Sequence, residues 1–255
     1  MTASGSLLVV GLGPGPADWL TAEAALALES ATDIVGYQSY VARVAVRSDQ
    51  RRHVSDNRDE IDRARHALYL ASKGHDVAVV SGGDPGIFAM AAAVFEALEQ
   101  GDPSWRGLDI RVLPGISAMQ AAAARLGAPL GHDFCAISLS DNLKPWAIIE
   151  RRLIAAAEGD FVIAIYNPAS RARPARIHDA FAILRSRKAS ATPVAFARAV
   201  GRRDEHITLT TLGEADPSPV DMSTLVLIGS SETRLVACGQ GRPWLLSPRS
   251  YGIAP

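Results

Sequence analysis

Short apolar runs alternate with longer amphipathic stretches through the first half of the chain. Residues 7–10 and 77–80 are continuous apolar runs, which are typical of buried strands. Residues 56–73 instead repeat apolar side chains at helical spacing, and Gly74 supplies a stop signal. This alternation predicts parallel βαβ units with right-handed crossovers. The predicted strands are 7–10, 33–36, 77–80 and 110–113, and the predicted helices are 21–31, 56–73, 88–98 and 119–126.

The second half differs because its last three apolar runs have no full helix between them. Such spacing favours antiparallel pairing. The predicted strands are 134–139, 161–166, 194–197, 207–209 and 225–228, and the predicted helices are 146–157 and 175–187. We therefore predict an α/β chain with a parallel-sheet domain over residues 1–128, a mixed-sheet domain over 129–245 and a C-terminal tail over 246–255.

Composition narrows the function classes. The chain has 255 residues and a formal net charge of −1, whereas nucleic-acid-binding proteins usually have a basic excess, so we predict no nucleic-acid partner. No apolar stretch reaches the roughly 20 residues that span a bilayer, so we predict no membrane segment. Only Cys135 and Cys238 occur, without a CxxC pair, which predicts a cytoplasmic location and no metal site.

Three glycine-containing turns follow predicted strands and precede predicted helices: residues 11–15 (GLGPG), 82–86 (GGDPG) and 114–118 (PGISA). Such turns let a small ligand approach the backbone closely. The first turn does not fit a dinucleotide-binding fingerprint, because Pro16 occupies the position of the last glycine and Asp33 begins the second strand instead of ending it. A P-loop is excluded too, since no Gly-Lys-Ser/Thr follows. The ligand is therefore expected to lack a phosphate, and a purely structural turn remains the alternative.

Polar side chains at the ends of strands are the candidate ligand contacts. Asp84 lies at the carboxyl end of a strand, where a carboxylate suits a hydroxylated or cationic small molecule; an Asp-Pro-Gly turn is the alternative. Ser117 either caps a helix or contacts the ligand. Tyr166 either contacts the ligand or lies at the rim of the core, and Asn167 before proline ends its strand.

Two further groups are candidates for acid–base or charge chemistry. His132 and Asp141 flank one predicted strand and could move protons near neutral pH, although a loop histidine on the surface is the ordinary alternative. A basic cluster at Arg171, Arg173 and Arg176 is either a solvated helix start or a group that neutralises carboxylates of an acidic ligand.

Taken together, the three turns resemble those of the tetrapyrrole (corrin/porphyrin) methylases, and the resemblance runs over residues 7–230. Within the family, several strings are most similar to members that act on carbon 17 of precorrin-3B; they are residues 36–40 (GYQSY), 127–130 (GAPL), 137–143 (ISLSDNL) and 166–168 (YNP). Residues 248–251 (PRSY) depart from the usual Arg-Gly-Tyr of these members, which leaves the conformation of the tail open.

The resemblance implies a homodimer whose protomer has two α/β domains with an interdomain cleft, and S-adenosylmethionine as the cofactor in that cleft. The residues implied to contact the cofactor are Pro14, Gly82, Gly83, Asp84, Ile87, Ser117, Ala118, Tyr166, Asn167, Ala197 and Thr224. The residues predicted to contact the tetrapyrrole are Gly13, Gly15, Tyr37, Tyr40 and Ser138.

The implied activity is methylation of carbon 17 of precorrin-3B, with ring contraction to precorrin-4, in cobalamin (vitamin B12) biosynthesis. Ring contraction requires loss of a hydroxyl proton, and we predict His132 and Asp141 as the general acid or base. Three alternatives remain: a cobalt-containing substrate of the anaerobic route, another macrocycle carbon, and a non-catalytic corrinoid-binding protein. The absence of a dinucleotide fingerprint argues against a nicotinamide dehydrogenase.

Overall fold

The computed structural model of the chain describes residues 5–45, 47–56, 59–170, 173–239 and 241–252. The chain folds as two compact units, Met1–Ala118 and Met119–Pro255. The division therefore falls after Ala118, whereas the predicted domain boundary falls after residue 128. The difference concerns one helix and one short strand, which are counted here with the second unit.

The first unit contains a five-stranded sheet in which every pair of neighbouring strands is parallel, as predicted. Its strands are β1 (Ser6–Gly11), β2 (Asp33–Tyr37), β3 (Arg51–Ser55), β4 (Val77–Ser81) and β5 (Asp109–Leu113). Their order in the sheet is β3-β2-β4-β1-β5. The helices of this unit are α1 (Ala22–Ser30), α2 (Gln38–Val41), α3 (Glu60–Ser72) and α4 (Met90–Gln100), with 3₁₀ turns at Ala17–Trp19 and Pro103–Gly107.

Strand β1 is an interior strand that is buried on both faces, which explains its continuous apolar sequence. Leu7 and Val9 pack in the apolar layer that includes α3 and α4, and Leu8 and Val10 pack in the layer that includes α1. Burial of each such side chain contributes about 1.5–3 kcal/mol. In the sheet, β1 lies between β4 and β5, so the glycine turn that follows it lies between the turns of these two neighbours.

Asp33 begins β2, and its carboxylate is fully buried at the amino edge of the sheet. It accepts hydrogen bonds from Thr32 Oγ1 at 2.7 Å and Arg51 Nη2 at 3.0 Å. His53 Nε2 lies 2.8 Å from one carboxylate oxygen and His75 Nδ1 lies 2.9 Å from the other. We call these five residues the Asp33 cluster; the charge on its buried carboxylate is compensated from three directions.

The second unit contains a five-stranded mixed sheet, also as predicted. Its strands are β7 (Phe134–Ser138), β8 (Val162–Tyr166), β9 (Pro193–Arg198), β10 (His206–Thr211) and β11 (Thr224–Ile228). Their order is β10-β9-β11-β8-β7, with β7 and β8 parallel and the other pairs antiparallel. A three-stranded sheet joins β6 (Gly127–Ala128), β12 (Arg234–Val236) and β13 (Trp244–Leu246). The helices are α5 (Ala118–Leu126), α6 (Trp146–Glu158) and α7 (Arg176–Arg185).

The core of the second unit forms where α6 and α7 cover one face of the mixed sheet. Leu153 of α6 and Phe181 of α7 are fully buried there, together with Ile163 and Ile165 of β8. Among the described residues, no helix is both long enough and apolar enough to cross a membrane.

Candidate functional site

The three glycine turns of the first unit meet at the carboxyl edge of its sheet, because β4, β1 and β5 are neighbours. The first two turns are joined by a pair of backbone hydrogen bonds. Gly13 N donates to Gly83 O at 3.1 Å, and Gly83 N donates to Gly13 O at 2.9 Å. The turns that the sequence presents separately therefore form one continuous backbone surface.

Gly11, Gly83 and Gly115 pack backbone against backbone, and we call this contact the glycine junction. A Cβ added to Gly115 would lie 2.4 Å from Gly83 O and 3.0 Å from Gly11 C. At Gly83 the nearest atoms to an added Cβ are 3.9 Å away, but φ is +70°. Side chains are thus excluded at Gly115 by contact and disfavoured at Gly83 by conformation. An added Cβ at Gly83 would be in ordinary van der Waals contact with the third turn, so the positive φ is what favours glycine there.

Asp84 links the second turn to the third. Its Oδ1 accepts a hydrogen bond from Gly86 N at 2.8 Å, and its Oδ2 accepts one from Gly115 N at 3.1 Å. The sequence indicated an Asp-Pro-Gly turn and a position of Asp84 just past the end of a strand. The structure contains both. Each carboxylate oxygen already accepts one backbone N–H, so Asp84 also positions the glycine junction.

Arg43 holds the first turn from the other side. Its Nη2 donates to Leu12 O at 2.8 Å and Gly13 O at 3.0 Å, and lies 3.4 Å from Gly15 O. Arg43 was not among the predicted site residues, because its partners are backbone carbonyl groups, and a contact to backbone leaves no motif in the sequence. Pro14, a predicted cofactor contact, lies within this turn.

Tyr37 and Tyr40 lie beside the second turn. Their rings are edge to face, with centroids 5.5 Å apart. A Cβ added to Gly82 would lie 2.7 Å from Tyr40 Cε1, so the Tyr40 ring packs directly on the second glycine turn. The predicted tetrapyrrole contacts of this unit are therefore brought together with the predicted cofactor contacts.

The remaining predicted residues of the first unit also lie near the glycine junction. Ile87 N donates to Asp84 O at 3.4 Å. Ile116 O, Ser117 Cα and Ala118 N are the three atoms nearest to a Cβ added at Gly83. Ser117 is buried. The structure thus places all the predicted cofactor residues from the second and third turns around one point.

In the second unit, the predicted residues share one edge of the mixed sheet. Ser138 and Tyr166 are register partners at the carboxyl ends of the parallel strands β7 and β8. Ala197 lies near the end of β9, opposite Leu225 near the start of the antiparallel strand β11, and Thr224 begins that strand. The alternation of strand directions brings these positions to the same edge, although they are far apart in sequence.

Tyr166 and Asn167 both form side-chain hydrogen bonds in the second unit. Tyr166 Oη accepts a hydrogen bond from Met119 N in the first turn of α5 at 3.1 Å. Asn167 has a positive φ of 49°, which asparagine tolerates better than most residues. Its Nδ2 donates to Ser138 Oγ at 2.9 Å. Tyr166 therefore serves as more than a rim aromatic.

His132 and Asp141 lie beyond opposite ends of β7. His132 precedes the strand and Asp141 follows it, and a strand of 5 residues spans roughly 16 Å. The two side chains therefore do not form an acid–base pair. Of the two, Asp141 lies near the edge that carries Ser138 and Tyr166.

Asp141 joins the predicted arginine cluster. Its carboxylate lies 2.8 Å from Arg176 Nε and 3.5 Å from Arg173 Nε. Arg173 Nη1 also donates to Leu139 O at 3.0 Å. The third arginine that the sequence suggested, Arg171, lies outside the described residues. In this arrangement one carboxylate orients two guanidinium groups.

His132 contacts the C-terminal segment. Its Nδ1 lies 3.1 Å from Pro248 O, and its Nε2 lies 2.9 Å from Tyr251 Oη. The two rings are edge to face, with centroids 4.8 Å apart. Both ring nitrogens thus contact the segment whose sequence departs from the family pattern, which gives His132 an anchoring role for that segment.

We expect His132→Ala to release this segment. Loss of two hydrogen bonds and a ring contact removes about 2 kcal/mol of local stability, which corresponds to roughly 30-fold faster amide exchange at residues 249–252. Hydrogen–deuterium exchange measures this directly, with His206→Ala on β10 as the control. Tyr251→Phe, which keeps the ring, is expected to have a smaller effect. Unchanged exchange in His132→Ala would contradict this anchoring role.

The family described as Tetrapyrrole (Corrin/Porphyrin) Methylases matches residues 6–216. A Precorrin-3B C(17)-methyltransferase from Sinorhizobium sp is 55% identical over 252 residues, which are 98% of this chain and 99% of the relative. A Probable cobalt-factor III C(17)-methyltransferase from Salmonella typhimurium is 43% identical over 97% of this chain and 100% of the relative.

The fold agrees with these sequence comparisons. The crystal structure of the methyltransferase CobJ superimposes with a TM-score of 0.92 at 53% identity, and the match covers 96% of this chain and 100% of that one. The family match extends from β1 through all three glycine turns and past the end of β10. The chain therefore belongs to the tetrapyrrole (corrin/porphyrin) methylase family.

Proposed function

We propose that this protein transfers a methyl group from S-adenosylmethionine to carbon 17 of precorrin-3B, with ring contraction to precorrin-4, in cobalamin biosynthesis. The observation that carries the proposal is the 55% identity, over nearly the full length of both chains, to a relative named for this reaction. The glycine junction supports it, because it offers a bare backbone surface suited to a ligand without phosphate.

The residues of the first unit fit the cofactor. Gly83 has no side chain, and backbone atoms of residues 116–118 lie 3.9–4.0 Å from the position that its Cβ would take. We propose that Gly82, Gly83, Asp84 and the backbone of residues 117–118 hold the polar groups of S-adenosylmethionine. The roles of Tyr166, Asn167, Ala197 and Thr224 in the second unit remain a proposal from the resemblance.

The chemistry needs little from the protein beyond positioning. When bound, S-adenosylmethionine supplies an electrophilic methyl group on a sulfonium. The chain must hold the accepting carbon in line with that methyl at about 3–3.5 Å, and such positioning supplies much of the rate. No covalent nucleophile is required. The tetrapyrrole contacts are proposed at Gly13, Gly15, Tyr37, Tyr40 and Ser138.

Ring contraction additionally requires a proton to move. Asp141 remains the proposed proton acceptor at the edge of the second sheet near Ser138. His132 stays a second candidate from the sequence, and its contact with the C-terminal segment provides a competing explanation for its presence. The His132→Ala and Tyr251→Phe variants separate the two roles, because only a catalytic His132 makes His132→Ala much slower in turnover than Tyr251→Phe.

The runner-up substrate contains cobalt. The relative named for cobalt-factor III is 43% identical, against 55% for the relative named for precorrin-3B, at similar coverage of this chain. This difference favours the metal-free substrate. Homodimer formation and a cytoplasmic location are also proposed, the first from the resemblance and the second from the cysteine content.

The test is mass spectrometry of the product after incubation with methyl-labelled S-adenosylmethionine. With precorrin-3B we expect a ring-contracted product that carries one additional labelled methyl group, and slower turnover with cobalt-factor III. Calorimetry with S-adenosylhomocysteine is expected to show binding. Tetrapyrrole binding without affinity for S-adenosylhomocysteine would indicate a corrinoid carrier and would overturn the proposal.

A further inference from the structure

The loop between β7 and α6 carries Lys144 and one acid, Asp141, whose carboxylate pairs with Arg173 and Arg176 and not with Lys144. Within the described part of the chain, the side chains of Lys144 in this loop and Arg152 on α6 form no hydrogen bond and no ion pair. Lys144 is half-buried, whereas Arg152 is exposed. The charges that act on Lys144 come from Arg152 and Arg173, and both are positive.

This charge arrangement disfavours the protonated lysine. Burial lowers the pKa of Lys144, and the charges of Arg152 and then Arg173 lower it further. Arg173 cannot turn away, because Asp141 and Leu139 O hold its guanidinium, and its side chain is only 13% exposed. A bound anion would relieve the repulsion among the three cations.

The same loop also presents an apolar surface. Leu143, next to Lys144, is 88% exposed and is the most exposed large apolar side chain among the described residues. Trp146 begins α6 close by, with the Arg176 guanidinium 4.6 Å from its ring centroid. An exposed leucine beside unpaired cations suits a ligand that is apolar in its body and anionic at its periphery.

We propose that Leu143, Lys144 and Arg152 form a subsite that contacts the macrocycle and its carboxylate side chains, and that Arg173 supports it. This inference rests on the proposed function, since it takes the ligand to be an acidic tetrapyrrole. Besides its proposed role as proton acceptor, Asp141 has a positioning role here, because its carboxylate holds Arg173 beside the subsite. The loop lies just past Ser138, the predicted tetrapyrrole contact at the end of β7.

The first experiment is direct binding of uroporphyrin, a stable octacarboxylate, followed by fluorescence in the protein without cofactor. Lys144→Gln is expected to raise the Kd about tenfold, and Lys144→Glu about 100-fold. The loss should shrink with added salt, because salt screens the charge interaction. Lys73→Gln on the first unit is the matched control, and Leu143→Ser is compared with Leu26→Ser, a leucine that is 66% exposed on α1.

The second experiment separates this inference from the proposed function. In the methyl-transfer assay, Lys144→Gln and Arg152→Gln should raise the KM for precorrin-3B about tenfold with kcat unchanged. The Kd for S-adenosylhomocysteine should stay at the wild-type value. Wild-type activity combined with unchanged Kd and KM in these variants would overturn the subsite alone. Absence of both methyl transfer and uroporphyrin binding in the wild type would overturn the proposed function together with the subsite.

Discussion

Gly115→Ala is expected to weaken binding of S-adenosylhomocysteine more than 100-fold, a loss above about 2.7 kcal/mol. The added methyl would lie 2.4 Å from Gly83 O and 3.0 Å from Gly11 C. Since both neighbours are backbone atoms in paired turns, no side chain can move aside. The third turn must shift away from the second, and the surface over Gly83 changes shape. Isothermal titration calorimetry measures the loss.

The control for this variant is Gly107→Ala in the same unit, because an added Cβ there meets no atom within 4 Å. It should bind as the wild type does. If Gly115→Ala does not fold, Asp84→Asn tests the same junction without added volume. It replaces one of the two carboxylate oxygens, which accept hydrogen bonds from the backbone N–H groups of Gly86 and Gly115, with an amide NH₂ group. That variant is expected to bind about tenfold more weakly. Wild-type affinity in a folded Gly115→Ala protein would show that the junction does not shape the cofactor site.

Asp33→Asn is expected to lower the free energy of unfolding by about 3 kcal/mol at pH 7. The buried carboxylate accepts hydrogen bonds from several donors, and one amide oxygen cannot replace two charged oxygens. Urea unfolding gives the change in free energy. The matched control is Asp62→Asn, whose side chain is 81% exposed and lies 3.4 Å from Arg65. Such a surface pair contributes at most about 1 kcal/mol, so this control should remain close to the wild type.

The same variant predicts a change in acid stability. Burial alone would raise the pKa of Asp33, but hydrogen bonds from Thr32, His75 and His53 and the charge of Arg51 outweigh it and hold the pKa well below its ordinary value. A carboxyl with a lowered pKa stabilises the fold above its unfolded pKa of about 3.9, and this contribution is lost as the pH falls below that value. Asp33→Asn should therefore show a weaker loss of stability below pH 4 than the wild type.

His66 adds to this acid dependence in a higher pH range. Its Nε2 lies 3.0 Å from His53 Nδ1, beside the Asp33 cluster. Burial lowers the pKa of His66, and the charge of His53 lowers it further. A histidine with a lowered pKa favours the fold when it is neutral, so the wild type should begin to lose stability below about pH 6.5.

The predicted role of the Asp33 cluster would be contradicted by an Asp33→Asn protein that is as stable as the wild type at pH 7.

The parallel sheet was predictable where strands are buried on both faces, as β1 and β4 are. Strand β3 was missed because its sequence, RRHVS, is polar and lies at the edge of the sheet. The short strands β6, β12 and β13 were missed because a strand of two or three residues is too short to show an alternation of apolar and polar side chains. The end of the first unit was placed after residue 128, since α5 continues the alternation of strand and helix without a break.

The site was predictable where its signal is local. Glycine turns at strand ends indicate close approach of backbone, and the structure brings those three turns together. Arg43 and Lys144 could not be found in this way, because their significance depends on neighbours distant in sequence. His132 and Asp141 were predicted to flank one strand, and because an extended strand separates the residues at its two ends, they lie far from each other.

The short strand β6 pairs in parallel with β13, with Gly127 opposite Leu245 and Ala128 opposite Leu246. The first strand of the second unit is therefore hydrogen-bonded to its last one. Detaching β13 leaves β6 without its strand partner, and detaching β6 removes one of the two partners of β13. Local opening of these two strands is thus coupled, although one lies near the start of the unit and the other near its end.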